Sequence, residues 1–566
     1  MNSGDLTVLA VVVGVSVVLA VGLRPRGTST LDFYLAGQRI GILTNACAIC
    51  GDYFSAASFL GVAAAVYASG LDGVWYATGF AAGFVPVLLF VAAPLRRFGE
   101  FSIPDFLGRR LQSEPVRLCA VVVVELVILS YLVPQAVGSG ITWQLLVGGG
   151  LGGLSPYATG VIVSTAAITA IVALGGMRGT TWTQAVQFLF LLATLLWLTA
   201  IALGSGFSYP GAVARLGEEP LRNPVQTDEG WVLRAEPNAL HPDEPARFSQ
   251  PGSRYGRFGQ FALVVTLMLG TTGLPHVMNR FFTSPSGRAA RMTTVWVLGF
   301  AGLFYALAVL LGTAARALIP GAVAGRPWLA AITVDGVLRV PEHALLVLGR
   351  LYGGSGGLGV IASGALVAVM STIAGLLLAA AASWGHDVYE RHVNPGATQR
   401  QAVLAGRVAV VVAAAASAAM ALGLSPETVS SRFPSIVAQM VTWAFALAGS
   451  ALTPVLLLTV WWRRTTAPAA VAGMVVGAVS SVALLAVGLA GGAQDEVTRG
   501  LLVTPTLLAA PLGLLTTVVV SRLTAPPTDV DAAWIKLHGT AADRHAERLA
   551  RLTIRGVAPD AAEVSR

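Results

Sequence analysis

The residues best placed to do chemistry interrupt runs that are otherwise apolar. Asp52 sits in Ala48-Ile49-Cys50-Gly51-Asp52-Tyr53-Phe54-Ser55. A carboxylate in mid-membrane costs about 2.5–3.5 kcal/mol of insertion free energy, and the neighbouring glycine weakens the helix further. That combination points to an ion or substrate path, the plainer reading being a hydrogen bond to a neighbouring helix. The second interruption, Leu269-Gly270-Thr271-Thr272-Gly273-Leu274-Pro275, packs two glycines, two threonines and a proline together. Irregular backbone survives at membrane depth only where it is buried in protein or lines a cavity. The plainer reading here is a proline kink with threonines satisfying freed carbonyls. A third segment, Ala368-Val369-Met370-Ser371-Thr372-Ile373, carries adjacent hydroxyls. Such hydroxyls often only bond the preceding turn, but with backbone carbonyls they are the hard oxygen ligands an alkali cation needs.

Other chemistry finds little support. No H-E-x-x-H, G-x-S-x-G or P-loop pattern is present, and His276 and His386 are isolated. Cys47 and Cys50 form a C-x-x-C inside an apolar span without a thioredoxin-like context, which reads as helix packing. The expectation is no enzyme and no cofactor.

The elements that must position these residues are membrane helices. Apolar residues make up 55% of the chain and charged residues 11%, against about 25% charged in a soluble protein. The mean hydropathy is +0.73. Lipid must therefore solvate most of the surface. Apolar runs of the length that spans a bilayer as helix number about thirteen. They fall near 5–23, 41–68, 72–95, 118–147, 157–175, 181–204, 258–280, 292–316, 356–384, 403–424, 433–460, 468–491 and 499–521. The run at 5–23 lacks a basic leader and reads as an uncleaved first helix.

The net charge of +8 resides in scattered loop arginines, a topology signal rather than a nucleic-acid surface. Short loops holding Arg24, Arg26, Arg39, Arg96, Arg97, Arg280, Arg288, Arg463 and Arg464 alternate with four short loops holding only Arg432 and Arg499, while two longer outer loops, 205–257 and 317–355, mix basic residues with acidic ones and weigh less. This places the N-terminus outside and the C-terminus in the cytoplasm of a bacterial-type cell, with the chain in its inner membrane. The broken spans lie five helices apart, in corresponding positions of two five-helix blocks, which is the sequence sign of an inverted repeat. The expected organisation is an extra helix and inner loop (1–40), a first repeat (41–204) and a long outer loop (205–257). A second repeat (258–460), two further helices (461–522) and a polar tail (523–566) follow. Within that tail, 541–555 could form an amphipathic surface helix or fray.

At these residues the chain resembles the sodium/solute symporter family, most closely its cation/acetate branch. The resemblance runs from Asp32 to about Thr524. It rests on Phe33-Tyr34-Leu35-Ala36-Gly37, Gly51-Asp52 with Ser55, and Gly175-Gly176-Met177-Arg178 with Trp182-Thr183-Gln184. Gly273-Leu274-Pro275-His276 with Arg280-Phe281-Phe282, Ser371-Thr372 and His386-Asp387-Val388-Tyr389 complete it.

The resemblance implies an all-α polytopic membrane protein with a leucine-transporter-type five-plus-five core. It implies a sodium site formed by backbone carbonyls of Cys50, Tyr53 and Ala368 with the hydroxyls of Ser371 and Thr372. Asp52 matches an aspartate important for coupling. Where several sodium-coupled members carry Trp-Thr-Asp, this chain has Trp182-Thr183-Gln184, which weakens a second sodium site and leaves proton coupling open.

The implied activity is import of small monocarboxylates (acetate, propionate, pyruvate) with Na+ or H+. The rivals are symport of an amino acid or sugar, or a membrane sensor on the same fold. An anion so small needs a compact, donor-rich site. Thr271, Thr272 and Gly273, faced by Gly51 and Ser55, are its expected substrate-binding residues. The expected partners are the carboxylate, the coupling cation and the lipid bilayer, with no nucleic acid.

Overall fold

A computed structural model describes the chain from Thr30 to Asp543, apart from residues 100, 425–434, 492–495, 527–529 and 541, with scattered residues before Thr30. Most of the first predicted span, Arg432 and nearly all of 541–555 fall outside the described residues.

Eighteen helices organise the description. They begin with α1 (Ile42–Tyr53), α2 (Val62–Ser69), α3 (Val74–Ala82), α4 (Ala92–Phe98), α5 (Ile103–Arg110) and α6 (Glu114–Leu146). The next are α7 (Pro156–Gly204), α8 (Tyr209–Glu218), α9 (Gly256–Gly273), α10 (Pro275–Phe282), α11 (Gly287–Ala322) and α12 (Ala344–Ala382). The last are α13 (Gln399–Leu422), α14 (Ile436–Ala451), α15 (Thr453–Trp461), α16 (Ala467–Leu489), α17 (Thr506–Leu523) and α18 (Val530–His538).

Start signals recur along the chain. Ser102, Ser113, Ser155, Ser208 and Ser286 each accept a hydrogen bond from a first-turn N–H of α5, α6, α7, α8 and α11. Thr398 and Gln401 form a reciprocal capping box on α13. Each cap contributes about 1 kcal/mol and fixes where a helix begins.

Among the described residues, nine helical segments are long and apolar enough to cross a membrane, or ten with the bent pair α9–α10 counted as one span. The thirteen predicted runs condense partly because chain breaks are tighter than loops. The predicted separate spans 157–175 and 181–204 form one helical run, kinked at Gly176 (φ 56°, ψ −167°). Its 49 residues would extend about 74 Å at about 1.5 Å per residue, enough for two crossings of a hydrocarbon layer about 30 Å thick. Only glycine adopts that φ without strain, so the turn needs a single residue.

Between the predicted runs 292–316 and 356–384 the chain is helical again from Ala344 and turns at Gly354 (φ 60°), where α12 enters its long run. The loop 205–257 is also ordered. It folds into α8 and an antiparallel hairpin of β1 (Arg222–Thr227) and β2 (Gly230–Ala235).

The most apolar stretch of α12 is entirely buried in protein, whereas those of α13, α16 and α17 are only about one third buried. A helix apolar all round belongs in the centre of such a bundle. α12 packs against α1, α6, α7, α11 and α13. The polar tail is more structured than its composition suggests. In α18, Leu537 is fully buried and its carbonyl accepts from Arg97 Nη1 at 3.3 Å.

Candidate functional site

The first break forms where α1 stops at Tyr53. Phe54 leaves helical geometry (ψ 77°), its N–H capping the Cys50 carbonyl at 2.8 Å. Ser55 N–H turns back to the Tyr53 carbonyl at 2.9 Å. The freed N–H of Ala56 is satisfied by Gln135 Oε1 of α6 at 3.0 Å. A backbone donor opened at membrane depth thus has a protein partner, as such a break requires.

The hydroxyls of α12 meet this broken end. Ser371 Oγ donates to the Gly51 carbonyl and reaches the Ala368 carbonyl at 3.2 Å. Thr372 Oγ1 donates to the Asp52 carbonyl at 2.7 Å. The structure therefore gathers Ser371, Thr372 and Ala368 against the last turn of α1. The carbonyls they touch there are Gly51 and Asp52, lying between Cys50 and Tyr53. The Tyr53 carbonyl is met by Ser55 N–H and, at 3.5 Å, by Ser58 Oγ. A cation entering this junction would take hydroxyl and carbonyl oxygens that bond each other here.

Asp52 anchors a second, charged layer. Its side chain is fully buried, and Oδ2 accepts from Arg280 Nε at 3.3 Å. Oδ1 lies over Gly375, where an added Cβ would come within 1.8 Å. Only the missing side chain at 375 leaves room for the carboxylate.

Arg280 is held on every side. Nη1 donates to Thr181 Oγ1 at 2.7 Å and to Met177 Sδ at 3.1 Å, and Nη2 donates to Gln184 Oε1. Gln184 Nε2 in turn donates to the Ser371 carbonyl at 2.6 Å. One network thus joins α10, α7, α12 and α1. Gly51 lets α1 approach, since a Cβ there would lie 2.4 Å from the Gln184 carbonyl oxygen. The topology reading placed Arg280 in an inner loop. It is instead 1% exposed on α10, because a buried carboxylate is available to pair with it.

The second break bends α9 against α10 by 43°. Its residues diverge. Thr271 Oγ1 lies 2.7 Å from the Tyr53 hydroxyl, which also reaches the Phe80 carbonyl at 3.0 Å. Thr272 Oγ1 donates within its own helix to the Met268 carbonyl at 3.3 Å. Gly273 turns its open side toward α14 and α15, where a Cβ would lie 2.5 Å from the Ala448 carbonyl and 2.7 Å from Thr453 Oγ1. Of the three, Thr271 joins α1 directly, while Gly273 serves helix packing.

Polar atoms in need of partners cluster beside the first break. Among the described residues, Gln135 Nε2 and both ring nitrogens of His276 are buried without a protein hydrogen-bond partner. Tyr131 bridges them, with Ser55 beside its hydroxyl and the His276 ring 5.4 Å from its own. Phe445 packs on Tyr131 and on Tyr53. Buried polar groups are normally satisfied, so such a set marks where a polar ligand or water fits. Sequence reasoning missed Gln135 and Tyr131. The available signal was an amide next to Pro134 in a mostly apolar span.

His386 and Asp387 lie elsewhere. With Asp105 they form a buried trio whose ligand atoms fall within 4.8 Å of one another. Asp105 also faces Arg109 at 3.2 Å, Arg117 at 3.3 Å and Arg391 at 3.5 Å, and Asp387 accepts from Ser102 Oγ at 2.6 Å. Three guanidinium groups around one carboxylate make this an ion-pair lock and disfavour a metal ion.

The broken helices, the buried hydroxyl–carbonyl junction and the charged layer describe a transporter core. The sodium:solute symporter family model matches residues 33–477, and the chain belongs to that family. It is 32% identical over 507 residues to a monocarboxylic acid transporter of Corynebacterium glutamicum, covering 86% of this chain and 84% of the relative. Its fold is similar to a Na+-coupled sialic acid symporter in a substrate-bound outward-open state, with a TM-score of 0.68 at 15% identity. That match covers 93% of this chain and 99% of the other. Mhp1, a nucleobase-cation-symport-1 family transporter, matches in its closed conformation with a TM-score of 0.51 at 14% identity, over 92% and 100% of the two chains. The chain is thus a multi-pass transmembrane sodium:solute symporter, a carrier of a small solute with a coupling cation.

Proposed function

We propose that this symporter imports short monocarboxylates, acetate, propionate and pyruvate among them, together with sodium. The observation that carries the reading is the junction of Ser371 and Thr372 with the carbonyl end of broken α1, beside buried donors with no protein partner. The junction offers neutral oxygens to a cation, and Gln135 Nε2 with Ser55 Oγ offers donors to a carboxylate, while Thr271 Oγ1 donates to the Leu267 carbonyl and meets the Tyr53 hydroxyl at the edge of the set. Gly51 and Gly375 contribute close packing. The set is small and donor-rich, as a substrate with two oxygens and a few carbons demands.

The 32% identical relative, a monocarboxylic acid transporter, supports the same substrate class. Two breaks five spans apart support a leucine-transporter-type inverted repeat. The loop arginines support a cell-membrane topology with the N-terminus outside and the C-terminus cytoplasmic. Driving an anion into a negative interior costs about 2.3 kcal/mol per charge per 100 mV, which a co-transported cation offsets.

The test is uptake of labelled pyruvate by cells expressing the chain, with acetate, propionate, an amino acid and a sugar as competitors. Competition by the short carboxylates alone fits the proposal. Competition by the amino acid or sugar alone contradicts it, and replacement of sodium dependence by a pH gradient assigns the coupling to protons.

A further inference from the structure

A fixed negative charge beside a cation site sets how many cations that site must take up. Asp52 is the acidic residue of the broken-helix region, and its carbonyl already belongs to the junction with Thr372. Other buried acids lie elsewhere in the bundle. Glu342 accepts from Ser435 and Val437 N–H, Asp72 from Gly252, Arg254 and Tyr255 N–H, and Asp105 and Asp387 form the ion-pair lock. Glu125 lines a groove with Trp384 and Leu404. The junction itself is built from neutral carbonyls and hydroxyls.

Arg280 cancels the one remaining charge. Its guanidinium is pinned by Asp52, Thr181, Met177 and Gln184, and Gln184 ties it to the Ser371 carbonyl at 2.6 Å. The cationic end of Arg280 therefore stands one side chain away from the candidate ion ligands. We infer that Arg280 is a resident cation, holding Asp52 neutralised so that each cycle carries one monovalent cation with each monocarboxylate and moves no net charge. The inference rests on the carboxylate-symport reading and deepens it.

The physical argument is charge balance in a low-dielectric interior. With Asp52 and Arg280 summing to zero, one cation and one carboxylate also sum to zero. A second cation would leave an uncompensated positive charge, which buried sites do not tolerate cheaply. Gln184 fits this arrangement. Its carbonyl oxygen accepts from Arg280 while its amide donates to Ser371, a pair of roles that an aspartate at 184 could not fill.

The experiment uses the purified full chain in proteoliposomes with an inward sodium gradient, the potential being clamped by potassium and valinomycin. Labelled pyruvate is the probe, since acetic acid itself crosses bilayers. The inference predicts the same limiting accumulation at zero and at an inside-negative potential. A second sodium per carboxylate would instead raise accumulation about 50-fold per 100 mV, because each charge moved gains about 2.3 kcal/mol, and that result overturns it.

Absence of any carboxylate uptake would refute the functional reading alone. Equilibrium binding of radioactive sodium then still decides the inference. Wild type should saturate at one ion, Arg280→Gln at two, and the neutral pair Asp52→Asn/Arg280→Gln at one again. Equal ion counts in wild type and Arg280→Gln would overturn it.

Discussion

Arg280 Nε and Asp52 Oδ2 meet at 3.3 Å in the interior of the bundle, although the two residues stand 228 positions apart. The pair joins the half-helix after the second break to the last turn before the first. Any movement of α10 relative to α1 must therefore carry or break this ion pair.

Asp52→Asn preserves shape and removes charge, leaving the Arg280 guanidinium buried and unpaired. Breaking such a pair costs about 3–5 kcal/mol. Coupled uptake should fall by more than about ten-fold, the equivalent of only about 1.4 kcal/mol, and the melting temperature should drop. Adding Arg280→Gln should recover part of the lost stability. Thermal unfolding in detergent and vesicle uptake measure both. Near-normal uptake by Asp52→Asn would reduce this residue to packing.

Gln135→Glu keeps the acceptor for Ala56 N–H and replaces the free donor by an anion. The half-saturation for a monocarboxylate should rise by more than Gln135→Leu causes, because repulsion adds to a lost hydrogen bond of about 1–2 kcal/mol. Sodium activation should change little. Equal effects of the two substitutions in initial-rate assays would place the substrate away from Gln135.

Two glycine substitutions separate site from scaffold. Gly375→Ala drives a methyl group into Asp52 Oδ1 and should reproduce the transport defect of Asp52→Asn. Gly273→Ala presses on the Ala448 carbonyl, a backbone atom that cannot swing aside, so it should lower the yield of folded protein. Size-exclusion profiles of tagged variants, with uptake normalised to folded protein, distinguish the outcomes.

The Asp105 cluster should behave as an ion-pair lock. Chelator treatment should leave thermal stability unchanged, whereas Asp105→Asn should lower it by leaving Arg117 buried beside weaker partners. A chelator-induced fall in melting temperature would restore the metal reading.

Much of the frame was legible because membranes punish exceptions. Asp52, Gly51 and the Gly270–Pro275 segment stand out in apolar sequence since each carries a backbone or desolvation cost. The broken helices appear where those costs cluster. Ser371 and Thr372 were adjacent hydroxyls whose role came with the family resemblance, and the structure sets these α12 side chains against the last turn of α1. Partner choice was less legible. Arg280 lies at the end of an apolar run, where an arginine usually marks a loop, and only the distant Asp52 reveals it as interior.

Gly273 was expected to border substrate, but which side of a bent helix a glycine opens toward depends on α14 and α15. Gln135 is one amide in a long span, and the donor it leaves free is visible only once Ala56 claims its oxygen. The helical segment after Ala344 and the docked α18 reflect tertiary packing that their composition does not announce.

The most direct test compares wild type with Ser371→Ala/Thr372→Ala in proteoliposomes under an inward sodium gradient, using labelled pyruvate and correctly folded protein of each. The account predicts sodium-driven accumulation above equilibrium in wild type. In the double variant the sodium concentration for half-activation should rise strongly, because two oxygen ligands are gone. Unchanged sodium activation in the double variant, or wild-type accumulation indifferent to sodium, would contradict it.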